Sequence, residues 1–259
     1  MDTRFCWTEL CTSESEKAVR FYARLLGWES VPQPVSTRSG QTIDYTLFSL
    51  RGRNVGGMYP MVAVQRRQGM RPHWLSYAFV EDAASCATRA TKLGAVLLAG
   101  PLNVFDLGRL CILRDPTGAC FGAWQSMRLD STFQTRNEPG FAAWFEHVSE
   151  NVRQAADFYG SLFGWSPRSS EHDESRILCE QGGTAVAGLS PSARYGASLT
   201  PQWLTFFQAD DCDASCQKIA TMQGAVIVPP IGSADAERIG VVSDPQGAAF
   251  GLLSRAGQR

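Results

Sequence analysis

Histidine is nearly missing from this chain. His73, His147 and His172 are the three present among 259 residues, too few and too scattered to build the imidazole-rich centres that many transition-metal sites use. An excess of charge of either sign is missing too. Lys+Arg 24 against Asp+Glu 25 gives a formal net charge of −1, which supplies no basic field for a phosphate backbone or an anionic lipid surface. Nucleic acid and membrane are therefore not expected as partners. No stretch approaches the roughly 20 apolar residues that span a bilayer. The opening MDTRFCWTEL has an acid at its second position and no apolar run, so a cytoplasmic protein is expected. Cys-x-x-Cys is also lacking among the eight cysteines, and in a reducing compartment these read as small buried thiols.

What the chain does have is repetition. FYARLLGW at Phe21–Trp28 returns as FYGSLFGW at Phe158–Trp165. Aligning the halves there lays CWTEL (Cys6–Leu10) over AWFEH (Ala143–His147), pairing Trp7 with Trp144 and Glu9 with Glu146. Further on, the segments His73–Ala95 and Gln202–Ala225 correspond, as do RDPTGACFGAW and SDPQGAAFGLL. Repetition on this scale marks duplication of a folding unit.

Inside each half a shorter rhythm of strand, helix and several short strands occurs twice. In the first module Thr12 or Ser13 is expected to cap a helix whose apolar stripe is Ala18, Phe21 and Leu25, with Gly27 ending it in the left-handed region. Strands are expected over Thr42–Leu50 and Asn54–Val64, with Arg51-Gly52 turning between them. In the second module the strand Trp74–Val80 and a helix precede strands ending in Arg109–Arg114 and Ala119–Gln125. The Asp-Pro-Thr-Gly between the last two is a tight-turn sequence. The reading gives two domains of two βαβββ modules each, 1–128 and 141–259, joined by a polar linker at 129–140.

Paired βαβββ modules, FY…LGW after the first strand and Asp-Pro-x-Gly before the last resemble the vicinal oxygen chelate superfamily, which includes glyoxalase I, extradiol dioxygenases and bleomycin-resistance proteins. The resemblance runs from about Phe5 to Leu253. It implies an α+β fold, two curved mixed sheets with helices on the convex side. It also implies a funnel in which His, Gln or Glu side chains hold a divalent metal. Here those positions fall on Trp7, Leu75 and Gly122, with Gly57 as a looser match, and in the second half on Trp144, Leu204, Gly251 and Gly188. Neither indole, leucine nor glycine offers a suitable lone pair, so no metal and no other cofactor is expected.

Strand alternation places Glu9 and Cys11 on the face of Trp7, and Glu146 on that of Trp144, with His147 pointing the other way. Tyr77 and Phe206, two residues beyond Leu75 and Leu204, together with Tyr45, Cys120 and Trp124, complete a set of expected ligand-binding positions. Glycine at 122 and 251 is expected to widen the slot between them. Such a slot suits a small hydrophobic or aromatic organic molecule. A carboxylate against aromatic walls can act as a general base. Arg109 and Arg238, each six residues before an Asp-Pro aspartate, would hold an oxyanion or tie down Glu9 and Glu146 as structural pairs. Two functions fit these residues. One is metal-free isomerisation, cyclisation or elimination; the other is sequestration of a toxic compound, as in bleomycin-resistance proteins. Either a monomer or a homodimer is compatible with the sequence.

Overall fold

In a computed structural model the described residues are 3–36, 42–127, 137–170, 173–195, 199–232 and 237–255. His172 and most of the expected linker lie outside them. The first module is β1 (Phe5–Thr12), α1 (Ser15–Leu26), β2 (Glu29–Ser36), β3 (Thr42–Leu50) and β4 (Arg53–Pro60), followed by the short α2 (Ala63–Arg67). The second is β5 (His73–Phe79), α3 (Ala83–Lys92), β6 (Val96–Val104), β7 (Gly108–Arg114) and β8 (Cys120–Ser126). The third is β9 (Ala142–Ser149), α4 (Val152–Phe163), β10 (Ser166–Ser169), β11 (Ile177–Gln181) and β12 (Thr184–Pro191). The fourth is β13 (Gln202–Gln208), α5 (Cys212–Thr221), β14 (Ala225–Gly232), β15 (Glu237–Ser243) and β16 (Ala249–Arg255).

Two eight-stranded mixed sheets result, ordered β2-β3-β4-β1-β5-β8-β7-β6 and β10-β11-β12-β9-β13-β16-β15-β14. The α+β class read from the sequence is the class observed. Among the described residues no helix is long and apolar enough to cross a membrane.

The chain divides into two compact units. One gathers the described residues within Met1–Trp7, Leu75–Gln134 and Trp144–Leu204; the other gathers those within Thr8–Trp74, Thr135–Ala143 and Thr205–Arg259. In the first unit Phe5 stacks on Phe145 at 4.6 Å, and Tyr159 on Trp165 at 5.8 Å, beside Phe121, Phe163 and Trp203. In the second, Tyr22 stacks on Trp28 at 5.4 Å, surrounded by Phe48, Trp74 and Phe250.

These clusters explain the repeated phrase. The glycines close their helices as expected, Gly27 at φ 73° and Gly164 at φ 74°. The buried stripe of α1 is Ala18, Phe21, Tyr22 and Leu26, one position round from the expected Leu25, because Tyr22 has a buried partner to reach. The expected cap is also corrected: Glu14 is the N-cap residue and makes no side-chain cap bond. Thr12 instead accepts the Glu14 N–H at 3.3 Å. The strand expected to run to Val64 stops at Pro60, where Gln65 turns back to accept the Val62 N–H and opens α2.

Candidate functional site

In the second unit, parallel pairing sets Glu9 beside Gly57 and Cys11 beside Tyr59. The Tyr45 hydroxyl donates to Glu9 Oε1 at 2.7 Å. Gly57 makes room for this bond, since a Cβ there would lie 1.8 Å from the Tyr45 oxygen. Glu9 and Tyr45 are half-buried. Burial pushes the neighbouring Cys11 thiol up to about 11, so at neutral pH it is a protonated wall rather than a nucleophile.

The first unit holds the corresponding carboxylate differently. Glu146 is fully buried and accepts four hydrogen bonds. Arg176 gives two, Nε to Oε1 at 2.8 Å and a terminal nitrogen to Oε2 at 2.7 Å. Ser190 Oγ donates to Oε1 at 2.5 Å and Trp144 Nε1 to Oε2 at 2.6 Å. The Arg176 guanidinium also lies over the Trp144 ring, 5.5 Å from its centre. Trp144 and Glu146 share a face, as alternation requires. His147 points the other way, onto Asp115 Oδ2 at 2.9 Å.

Arg176 escapes notice in the sequence, yet the internal repeat contains the signal. Counting from the β3–β4 turn at Arg51-Gly52 and the β11–β12 turn at Gly182-Gly183, Tyr45 corresponds to Arg176, Tyr59 to Ser190 and Gly57 to Gly188. Strand registers agree, with Leu47 opposite Gly57 and Leu178 opposite Gly188. One carboxylate scaffold thus carries a phenol in one half and a guanidinium in the other.

Arg109 and Arg238 are not the partners of these glutamates, which corrects the expectation. Both sit towards the N-terminus of a helix. Arg238 grips Asp213 in the first turn of α5 through two nitrogens and gives a third bond to the Gly232 carbonyl at 2.9 Å. Arg109 donates to Asn103 at 2.9 Å across the β6–β7 hairpin. A carboxylate at a helix N-terminus draws the nearer guanidinium, and its charge also favours the helix dipole.

The glycines at 122 and 251 do not widen a slot. A Cβ at Gly122 would lie 2.0 Å from the Tyr77 ring, and one at Gly251 2.2 Å from that of Phe206. The rings occupy the glycine notches and are buried, each 2% exposed. Trp7, Trp124 and Cys120 are half-buried, and Trp124 lies against Gly108. A cavity of about 480 Å³ lies elsewhere in the first unit, lined by Leu93, Pro116 and residues of α4 such as Arg153, Asp157 and Phe158.

The residues at the positions that the resemblance names do not suit a transition metal. The positions named from the resemblance carry indole, leucine or glycine. Among the described residues no three His, Cys, Asp or Glu side chains cluster as metal ligands.

The chain belongs to the glyoxalase/bleomycin resistance protein/dioxygenase superfamily. That family model matches residues 143–252, and a glyoxalase-like domain model matches 7–123. The protein CFP32 of Mycobacterium tuberculosis is 31% identical over 257 residues, 98% of this chain and 95% of its own. The anthracycline biosynthesis protein DnrV of Streptomyces peucetius is 26% identical over 258 residues, 95% and 91% of the two chains. Among solved structures, the Mn(II)-bound glyoxalase from Novosphingobium aromaticivorans superposes with a TM-score of 0.65 at 10% identity, covering 97% of this chain and 81% of that one. A mutant 4-hydroxymandelate synthase from Streptomyces coelicolor gives 0.65 at 14% identity, covering 99% and 94%. At such identities the likeness establishes the fold alone.

Proposed function

We propose that the protein binds a small hydrophobic or aromatic organic molecule without a transition metal, and that Glu9, oriented by the Tyr45 phenol, accepts a proton from it. The class of reaction is an isomerisation, cyclisation or elimination. The observation that carries this reading is the exchange of Arg176 for Tyr45 at equivalent positions. Three side chains, one of them a two-pronged guanidinium, give four hydrogen bonds that saturate the Glu146 oxygens and hold that carboxylate as a fastener. At the equivalent place the Tyr45 phenol donates a hydrogen bond to Glu9, the kind of contact that orients a carboxylate for proton transfer. The working site is therefore assigned to the first half. An aromatic organic ligand accords with the relatives named for anthracycline biosynthesis.

Sequestration of the same molecule without chemistry is the competing reading, favoured by Glu146, whose equivalent position serves structure. Titration with a panel of planar aromatic compounds, followed by tryptophan fluorescence and by mass analysis of products, separates the two. Glu9→Gln is expected to bind and fail to convert. Unchanged turnover in that variant removes Glu9 as the base, and absence of any turnover in the wild type leaves sequestration. Loss of binding when a stoichiometric transition metal is stripped out overturns metal independence.

A further inference from the structure

Between Asp44 and Glu81 the chain contains five arginines and no acidic residue. Arg51 and Arg53 each face Glu138 at 3.6 Å, which leaves Arg66, Arg67 and Arg71 in and after α2. Arg66 is the one tied to the strands that carry the Glu9 site. Its Nε donates to the Met61 carbonyl at 3.3 Å, and a terminal nitrogen donates to the Ser13 carbonyl at 3.2 Å. Ser13 follows β1 and Met61 follows β4, and the Met61 N–H bonds the Thr12 carbonyl at 2.8 Å. The guanidinium is therefore fixed where these two strands end, and Glu9 and Gly57 lie further back in the same pair.

Both acceptors are neutral backbone oxygens, and they use two of the five guanidinium donors. Among the described residues no carboxylate pairs with Arg66. Its charge is nevertheless felt at the site. Burial raises the Cys11 pKa most and a bond from Tyr59 lowers it; beyond these, the Arg66 charge lowers it and the Glu9 charge raises it. Cys11, opposite Tyr59 in the β1–β4 pair, thus stands within reach of both charges. The other half balances its cations internally. Arg176 meets Glu146 at 2.7 Å, and Arg194, in the 3-10 turn after β12, meets Asp173.

We infer that Arg66 holds the carboxylate of the molecule from which Glu9 takes a proton, a role that rests on the placement of the working site at Glu9, and that this molecule is a polycyclic aromatic acid. The ligand then supplies the anion that the first half lacks. A guanidinium offers a carboxylate two parallel donors, and Arg66 keeps one terminal nitrogen unbonded for it. Length selects the rest of the molecule. Four residues of extended chain separate Glu9 from Ser13, about 13 Å at about 3.3 Å per residue. A short acid does not bridge such a separation, whereas fused rings with a carboxylate at one end do.

The test compares anthracene-2-carboxylate with its methyl ester, titrated by fluorescence into the full chain at low salt. The wild type is expected to bind the acid about five- to tenfold more tightly than the ester. Arg66→Gln is expected to bring the two dissociation constants together by weakening the acid alone, and Arg66→Lys, which keeps the charge without the fork, to retain part of the difference. Arg71→Gln is expected to retain all of it. A wild type that binds neither compound, or binds both equally, overturns the inference, as does a preference for the acid that survives in Arg66→Gln. The preference is read from binding alone, so it is decided whether or not Glu9→Gln changes turnover.

Discussion

The Tyr159 hydroxyl donates to Asp115 Oδ2 at 2.8 Å, linking the FY of the repeated phrase to the aspartate of an Asp-Pro turn 44 residues away in sequence. The second unit repeats the link, Tyr22 to Asp244 Oδ2 at 3.1 Å. Each tyrosine oxygen in turn accepts an indole N–H, from Trp203 at 2.7 Å and from Trp74 at 2.9 Å. The two motifs that identify the family in the sequence are therefore halves of one buried contact, made once in each compact unit.

Removing either hydroxyl leaves a buried indole donor and a buried carboxylate each short of one partner. Tyr159→Phe and Tyr22→Phe are each expected to lower stability by about 1–3 kcal/mol, measured by urea denaturation. A change under about 0.5 kcal/mol in both would show that neither chain of bonds contributes.

The two aspartates respond oppositely to pH. Burial pushes Asp115 up, but hydrogen bonds from His147, Thr117 and Tyr159, with the His147 charge, hold it below the usual aspartate value. Burial of Asp244 is only partly offset by the Ala248 and Gln246 amides and by Tyr22, and its pKa is raised. Leu10 stands where the other half has His147. A depressed pKa gives stability that is complete above the unfolded value of about 3.9 and lost as pH falls through the folded one. A raised pKa gives stability present below that unfolded value and lost as pH rises through the folded one. The stability gap between wild type and Asp115→Asn should therefore shrink on acidification from about pH 7 to about pH 3, while that for Asp244→Asn grows. Slopes of the same sign would contradict the assignment.

Gly122→Ala and Gly251→Ala place a methyl within 2.0 Å and 2.2 Å of the Tyr77 and Phe206 rings. Both rings are buried in contact, so each variant is expected to lose about 1–3 kcal/mol, read by thermal melting. Gly183→Ala is strained by φ 77° but has nothing within 4 Å, and the smaller loss expected there separates steric overlap from backbone strain.

The glutamates should part company under mutation. Arg176→Met leaves the Glu146 charge buried without its guanidinium and is expected to cost about 3 kcal/mol or more. Glu9→Gln keeps an oxygen for the Tyr45 hydroxyl and is expected to cost under about 1.5 kcal/mol. Equal losses in denaturation would mean that both carboxylates are fasteners and would remove the reason for assigning the site to the first half.

The sequence by itself determined the duplication, the four modules, the helix-ending glycines and the shared face of Trp144 and Glu146, because each depends on local period or on spacing within one element. Only the tertiary structure decided that Tyr22 rather than Leu25 turns inward, that Arg176 rather than Arg238 meets Glu146, and that aromatic rings fill the notches at Gly122 and Gly251. Those outcomes depend on which of several chemically similar groups lies within a few ångströms, and the strand pairings that set such distances join residues far apart along the chain.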